Sequence, residues 1–511
     1  MTEDVQSPRT APPTSAPSDA LITTEGLQHD YTSAENGIVP LAERKPLFHF
    51  AALWLTLESG FTYIVPGIAL HSAGFSLLAT VGMLLLGMAL YLAYGMAAAH
   101  LGARTGQTVA LLSRSVLGSV GSGVVSVVLI FTQTGWAGFQ AYFTITLLDG
   151  LFGWDLGATT TMAWACVAAV LMVVNNVVGF QGIAVFARRI VTPILLAWTV
   201  YLVLKGIVTD GGQLTGTPPE VAPLAVGPAI ALIIGTAIWG AEADIWRYSP
   251  PRPRVYLVSY GFAFLAGVTV SGIGGWIAAE LVTRENPEAS TALGDLLPWM
   301  TDYSLFGLSI LMAVIVVVVQ VSLNDGNYYE SINAIQNLLS HVRGWSRYYA
   351  CALVAVLGVL ATLYINSGSN LDGFAKIATL GAIGSPCATI IMATDHFVLP
   401  RLLGISRPLV TVPTWTQSAR INLPGLLALV LAVSYGVVTT GVFNSFTQPS
   451  WYWADVGIAA LETWVLAALL YVLGALLSQR GGRDRTQTLL GFPAFSRGVE
   501  HPARPVDVVE P

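Results

Sequence analysis

Two carboxylates stand where a bilayer would bury them, and each has glycines around it. Glu58 lies in the stretch from Trp54 to Gly67, beside Ser59, Gly60, Phe61, Thr62 and Tyr63, with Pro66 near its end. Glu242 ends a second stretch, from Ile234, that carries Gly235, Trp239 and Gly240. Each belongs to an apolar run long enough to cross a membrane. Backbone that leaves the helix at that depth is tolerated only where protein buries it or where it lines a cavity. Freed carbonyls can then hold a cation, and half-helix ends turn their dipoles toward a solute. Ser59, Phe61 and Gly240 are therefore candidate substrate contacts, and Gly60 is a candidate cation contact. For either stretch alone, a Gly/Pro kink that only eases packing is the competing reading. A matched pair in two halves of a chain marks the binding site of a secondary transporter.

The carboxylates differ in their neighbours along the chain. A charge at the bilayer centre costs at least ~2.5–3.5 kcal/mol on insertion scales, so it needs a cavity or a partner. Glu242 falls near a span end within reach of Arg247, which predicts a plain ion pair. Glu58 has no basic neighbour in sequence, which points to a group that binds and releases a proton.

Further polar side chains sit inside apolar runs. Gln133, Trp136 and Gln140 share one stretch, and Trp136 and Gln140, four residues apart, fall on one helix face. An indole offers a stacking surface and an amide offers both a donor and an acceptor. Together they suit a planar heterocycle, with Gln133 one turn earlier on roughly the same side. Trp239 could cover the other face of such a ring, a sandwich worth about 0.5–1.5 kcal/mol per pair beyond burial. Close helix approach at Gly135 and Gly138, with Trp136 as packing, is the alternative. Later, Gln320, Ser322, Asn324, Asp325 and Asn327 crowd together. Ser322 could complete a cation site and Asn324 could bond a substrate edge; a helix end reaching water is the alternative.

The elements that position these residues follow from composition. The chain has 511 residues, 54% hydrophobic and 10% charged, with net charge -6. An ordinary soluble domain carries about a quarter charged residues. Runs of about 20 apolar residues recur along most of the chain. Spans are expected near 47–70, 75–100, 118–149, 158–180, 185–208, 225–247, 255–282, 304–326, 347–366, 371–397, 422–443 and 454–478. Lys and Arg then gather in alternate loops, from Arg44 and Lys45 through Arg247, Arg252 and Arg254 to Arg480, while Lys205, Arg284 and Lys376 fall opposite. Positive loops mark the cytoplasmic face, so both termini are expected inside a cell membrane. The tail 1–44 and the segment 481–511 read as loose cytoplasmic ends of a transporter domain at 45–480. If spans at 47–208 and 225–397 are inverted repeats, the two broken stretches become their first helices, with 422–478 outside the repeat. That is an all-α polytopic protein of LeuT-type 5+5 architecture plus two helices.

Other chemistry is poorly served. Cys166, Cys351 and Cys387 are far apart. The histidines lack ligand spacing, and no nucleophile and base converge. No enzyme, no cofactor, no metal site built from His or Cys, and no nucleic-acid partner is expected; oligomeric state is unreadable.

Several pieces in chain order resemble one family, the purine/cytosine permeases of the nucleobase–cation symporter-1 class. They are Pro40 to Lys45; Gly102 to Thr108 with Leu111 to Arg114; Thr132-Gln133 with Gly135, Trp136 and Gly138; Ala243-Asp244 with Arg247-Tyr248; Asn324-Asp325 with Asn327; and Gly384 to Pro386 through Asp395 to Arg401. The resemblance spans roughly residues 38–480. It implies alternating-access import of a nucleobase or related planar heterocycle, coupled to H+ or Na+. Contacts are implied at Trp136, Gln140 and Trp239, with Asn324 as a polar partner. Relatives implied by it bind Na+ with span 1 carbonyls and span 8 hydroxyls. Here Ser322 is followed by Leu323 where a second hydroxyl is expected, and Glu58 is atypical. Both departures favour a proton-coupled variant. Carriers for other solutes (allantoin or hydantoin rings, vitamin precursors, amino acids) and a transport-dead receptor are the alternatives.

Overall fold

The computed structural model of the protein describes residues 38–492 apart from 178, 180–182, 184, 213, 215–225, 343–344, 366–369, 405, 408–417, 443–448, 450 and 453–456. The described residues are helical or irregular, with no strand among them. Among the described residues eleven helices are long and apolar enough to cross a membrane, and one further pair, Leu47–Leu57 and Phe61–Ser72, is bent by 54° into a broken span. The expected twelve spans are thus present. Large apolar side chains such as Leu78, Val127, Leu204, Leu265 and Leu431 remain exposed, as a surface facing lipid requires.

The breaks are local and have local causes. In span 1 the helix stops at Leu57 and resumes at Phe61, with Gly60 at φ 111°, a left-handed value that favours glycine. Pro66, expected near the end of the break, instead lies inside the second half-helix. In span 6 the helix Val226–Ala237 gives way to Glu242–Trp246, and Gly240 takes φ 83°. Span 7 carries a wide π-turn at Ala263–Thr269 opposite the first break, where Gly267 packs against the backbone of Glu58.

Three expectations on element ends need correction. Span 8 does not stop near residue 326: the helix runs Ser309–Leu339, and Asn324, Asp325 and Asn327 are buried. Neighbouring spans satisfy the polar run, with Asn175 Nδ2 donating to Asp325 at 2.6 Å, so it does not act as a stop signal. A helix at Leu293–Leu305, between spans 7 and 8, was not foreseen. Span 3 is part of a longer helical stretch, Val109–Phe152, kinked at Gly118 with φ 79°.

The expected loose tails, 1–44 and 481–511, lie largely outside the described residues. Their described parts are docked. Val39 is buried and its N–H donates to the Gly106 carbonyl at 2.9 Å, while the Lys45 N–H donates to the Tyr248 carbonyl at 2.7 Å. Arg44 Nη1 donates to the carbonyls of Ala103 and Ser249, tying this segment to the C-terminal ends of spans 2 and 6. At the other end a short helix, Arg483–Leu489, leads to buried Leu490 and Phe492.

Candidate functional site

Spans 1, 3, 6 and 8 meet around one cavity. Its walls are Thr62 and Tyr63 from span 1, Trp136 and Gln140 from span 3, Thr236, Ile238 and Trp239 from span 6, and Leu323 and Asn327 from span 8. Both broken segments therefore open on the same space.

The amide of Gln140 is oriented by two neighbours. Its Nε2 donates to Thr62 Oγ1 at 2.9 Å, and its Oε1 accepts from Gln320 Nε2 at 2.7 Å. Gln133 stands one turn earlier, where its Nε2 donates to the Trp239 carbonyl that the span 6 break exposes. Trp239 stands on Gly326 so closely that a β-carbon there would overlap the indole ring. A glycine is required at that contact. Trp136 reaches toward span 10, where a β-carbon on Gly381 would sit 3.4 Å from its Nε1.

The remaining candidates distribute differently. Gly240 packs on Ser385, and the Phe61 ring lies 5.1 Å from that of Trp198, tilted by 33°. The Ser59 hydroxyl, within the break, donates to the carbonyl of Leu55 in the preceding half-helix. Asn324 does not line the cavity: its Nδ2 donates to the Ala137 carbonyl at 3.1 Å and lies 3.0 Å from Met172 Sδ. Asn327, one turn on, takes the wall position and donates to Asn324 Oδ1 at 3.1 Å. Thr236 carries no signal in the sequence, whereas Thr62, Tyr63, Gln320 and Asn327 stand out there as polar residues without an assigned role. Gln320 and Asn327 are seven positions apart and share a helix face, which was the available signal.

The carboxylates part company. Glu242 is wholly buried and accepts from the Tyr91 hydroxyl at 3.1 Å, the Tyr94 hydroxyl, and the Trp239 N–H at 3.1 Å. The expected ion pair with Arg247 is not formed; Arg247 Nη2 donates to Tyr329 at 2.7 Å and Tyr248 at 3.1 Å. Tyrosines on span 2, far away in sequence, do what the nearby arginine was expected to do. Glu58 is also wholly buried, but neither carboxyl oxygen has a hydrogen-bond partner among the described residues, although Tyr63 and Trp239 stand beside it.

Other buried polar atoms near the cavity are similarly unmatched: Gln133 Oε1, Gln320 Oε1 and Ser322 Oγ. Leaving a buried polar atom unpaired costs about 1–3 kcal/mol, so a cluster of them calls for an occupant. As a sodium site the donor set is thin. Gly60 does pack against Val319 and Leu323 of span 8, beside Ser322, but Leu323 supplies no oxygen.

Two discontinuous helices facing two continuous ones around a central polar cavity define a secondary transporter of the LeuT type. The comparisons agree. Mhp1, a nucleobase-cation-symport-1 family transporter solved closed with bromovinylhydantoin bound, superposes with TM-score 0.68 at 18% identity, covering 89% of this chain and 98% of that one. Its inward-facing form gives TM-score 0.64 at 19% identity, covering 86% and 92%. The cytosine permeases of Escherichia coli K12 and O157:H7 are 27% identical over 424 residues, 80% of this chain and 93% of theirs. A family model described as permease for cytosine/purines, uracil, thiamine, allantoin matches residues 39–449. The chain belongs to this permease family.

Proposed function

We propose that the protein imports a planar nitrogen heterocycle of the cytosine or purine kind together with a proton. The repeats that alternate access are residues 47–208 and 225–397, with spans 11 and 12 outside them. Both termini face the cytoplasm and the membrane is that of the cell. The observation that carries this reading is the pairing of two indoles, Trp136 and Trp239, with an amide held in place by Thr62 and Gln320 in one cavity.

The indoles stack on the faces of the ring, and Gln140 and Asn327 read its polar edge. A site built to bond a polar edge rejects analogues lacking it far more strongly than a hydrophobic pocket can. Glu58 carries the proton. An unpaired ionised carboxylate in that dry setting costs several kcal/mol, whereas the neutral acid is accommodated. Protonation of Glu58 from the outer side therefore accompanies substrate occupancy, and its release follows when the cavity opens inward. Ser322 alone offers too few oxygens for sodium, which supports the proton as the coupling ion.

The test is uptake of labelled cytosine, adenine, hypoxanthine, uracil and allantoin into proteoliposomes, under a proton gradient and separately under a sodium gradient. Accumulation of at least one ring with protons alone is expected. Sodium-driven accumulation that ignores the pH gradient would refute the coupling, and no uptake of any ring would refute the substrate class.

A further inference from the structure

The C-terminal ends of spans 2 and 10 meet on the side of the molecule where Val39 and Arg44 dock. His100 of span 2 and His396 of span 10 lie with ring centroids 6.0 Å apart. The Phe397 ring stands 5.2 Å from the first and 4.7 Å from the second. Tyr256 of span 7 stands edge-on to His100 at 6.5 Å. Both imidazoles are half-buried. Two exposed arginines follow them: Arg104, one turn past His100 on the same helix, and Arg401, on the short helix Leu399–Leu403 that continues span 10.

These two differ from other arginines at this end. Arg44 serves backbone carbonyls, Arg247 serves two tyrosines, and Arg407 holds both carboxyl oxygens of Asp395 at 2.8 Å. Among the described residues, Arg401 donates to the Phe397 carbonyl one turn back, at 2.9 Å, and neither Arg401 nor Arg104 meets a carboxylate. An exposed cation keeps its water, so a missing partner alone means little. What counts is the company: two guanidiniums and two imidazoles on adjoining helix ends, with the one acid beside them, Asp395, already taken. The neighbouring surface then turns apolar, with Val398 and Leu402 exposed on the span 10 side and Leu257 and Val258 on span 7. Positive charge at the rim of a lipid-facing surface complements both the head and the chains of an anionic lipid.

We propose that the ends of spans 2 and 10 form a headgroup site for an anionic phospholipid, held by Arg104 and Arg401 with the two imidazoles beside them. A guanidinium donates two parallel hydrogen bonds to phosphate oxygens, which an imidazole cannot do. The acyl chains lie along Val398 and Leu402. A zwitterionic headgroup brings a cation of its own to the same place and is held less tightly. Span 10 also reaches the cavity, where Ser385 packs on Gly240 and Gly381 lies close to Trp136. A headgroup shared by both ends therefore braces a cavity wall against span 2. The inference rests on the orientation proposed above only for the leaflet, the cytoplasmic one, that supplies the lipid.

The experiment is native mass spectrometry of the full chain in detergent, titrated with phosphatidylglycerol and separately with phosphatidylcholine of the same chains. Wild type should hold phosphatidylglycerol at least about tenfold more tightly, the scale of two arginines near a charged lipid. Arg104→Gln with Arg401→Gln should remove most of that preference. The same variant should keep the wild-type unfolding temperature in lipid-free detergent, because both side chains are exposed. As a control, Arg480→Gln with Arg485→Gln removes as much charge beyond span 12 and should keep the preference. Equal loss in the two double variants would mean diffuse charge attraction and would overturn the site. Equal retention of both lipids by wild type would overturn it as well. Glycerol phosphate that competes as well as the whole lipid would show a free phosphate ester, not a lipid, to be the ligand. No gradient or transported ring enters the measurement, so its failure is distinguishable from failure of the transport reading.

Discussion

The breaks in spans 1 and 6 are chemical near-twins with opposite bookkeeping. Each has a glycine at positive φ and a wholly buried glutamate. At the span 6 break, Glu242 receives two tyrosine hydroxyls and a backbone N–H. At the span 1 break, Glu58 receives none among the described residues. A buried carboxylate with matched donors holds structure together. A buried carboxyl without matched donors is costly to hold ionised. The difference arises from the two tyrosines that span 2 offers to span 6 and from the Trp239 N–H within span 6 itself.

The comparison breaks most visibly through stability. Glu242→Leu should leave the Tyr91 and Tyr94 hydroxyls and the Trp239 N–H buried and unmatched, at a cost of about 3–5 kcal/mol. Glu58→Leu removes a group that receives no hydrogen bond among the described residues, and its unfolding temperature in detergent should stay close to that of wild type. Equal destabilisation by the two changes would erase the distinction. Next in size, Gly326→Ala pushes a β-carbon into Trp239 and should cost about 1–3 kcal/mol by overpacking. Binding of every ring should weaken together, as measured by competition for uptake. Trp136→Ala should likewise weaken all planar ligands, by roughly tenfold through lost stacking. Gln140→Ala should instead change the order of preference among the rings. Uniform losses in both variants would show that stacking and edge recognition are not divided as described.

Much of the fold was legible in sequence because apolar run length, glycine breaks and loop arginines are local signals. The failures share one physical origin. Asn324, Asp325 and Gly326 look like a helix stop, yet Asn175, Asn176 and the Ala137 carbonyl satisfy them from other spans and the helix continues. Glu242 looks paired to Arg247, five residues on, yet its two side-chain donors are Tyr91 and Tyr94, at separations of 151 and 148. Asn324 and Asn327 carry the same amide, and only the packing of span 8 against span 3 decides which faces the cavity. Trp136 and Gln140, on one helix face by spacing, and Trp239, at a break, all line the cavity. Tertiary donors leave no such trace.

The most direct measurement is accumulation of the transported ring under an imposed inward proton gradient, for wild type beside Glu58→Gln. Wild type should concentrate the ring, and the variant, which holds a permanently neutral amide at that position, should only equilibrate it. Equal accumulation by both would contradict the assignment of the proton to Glu58.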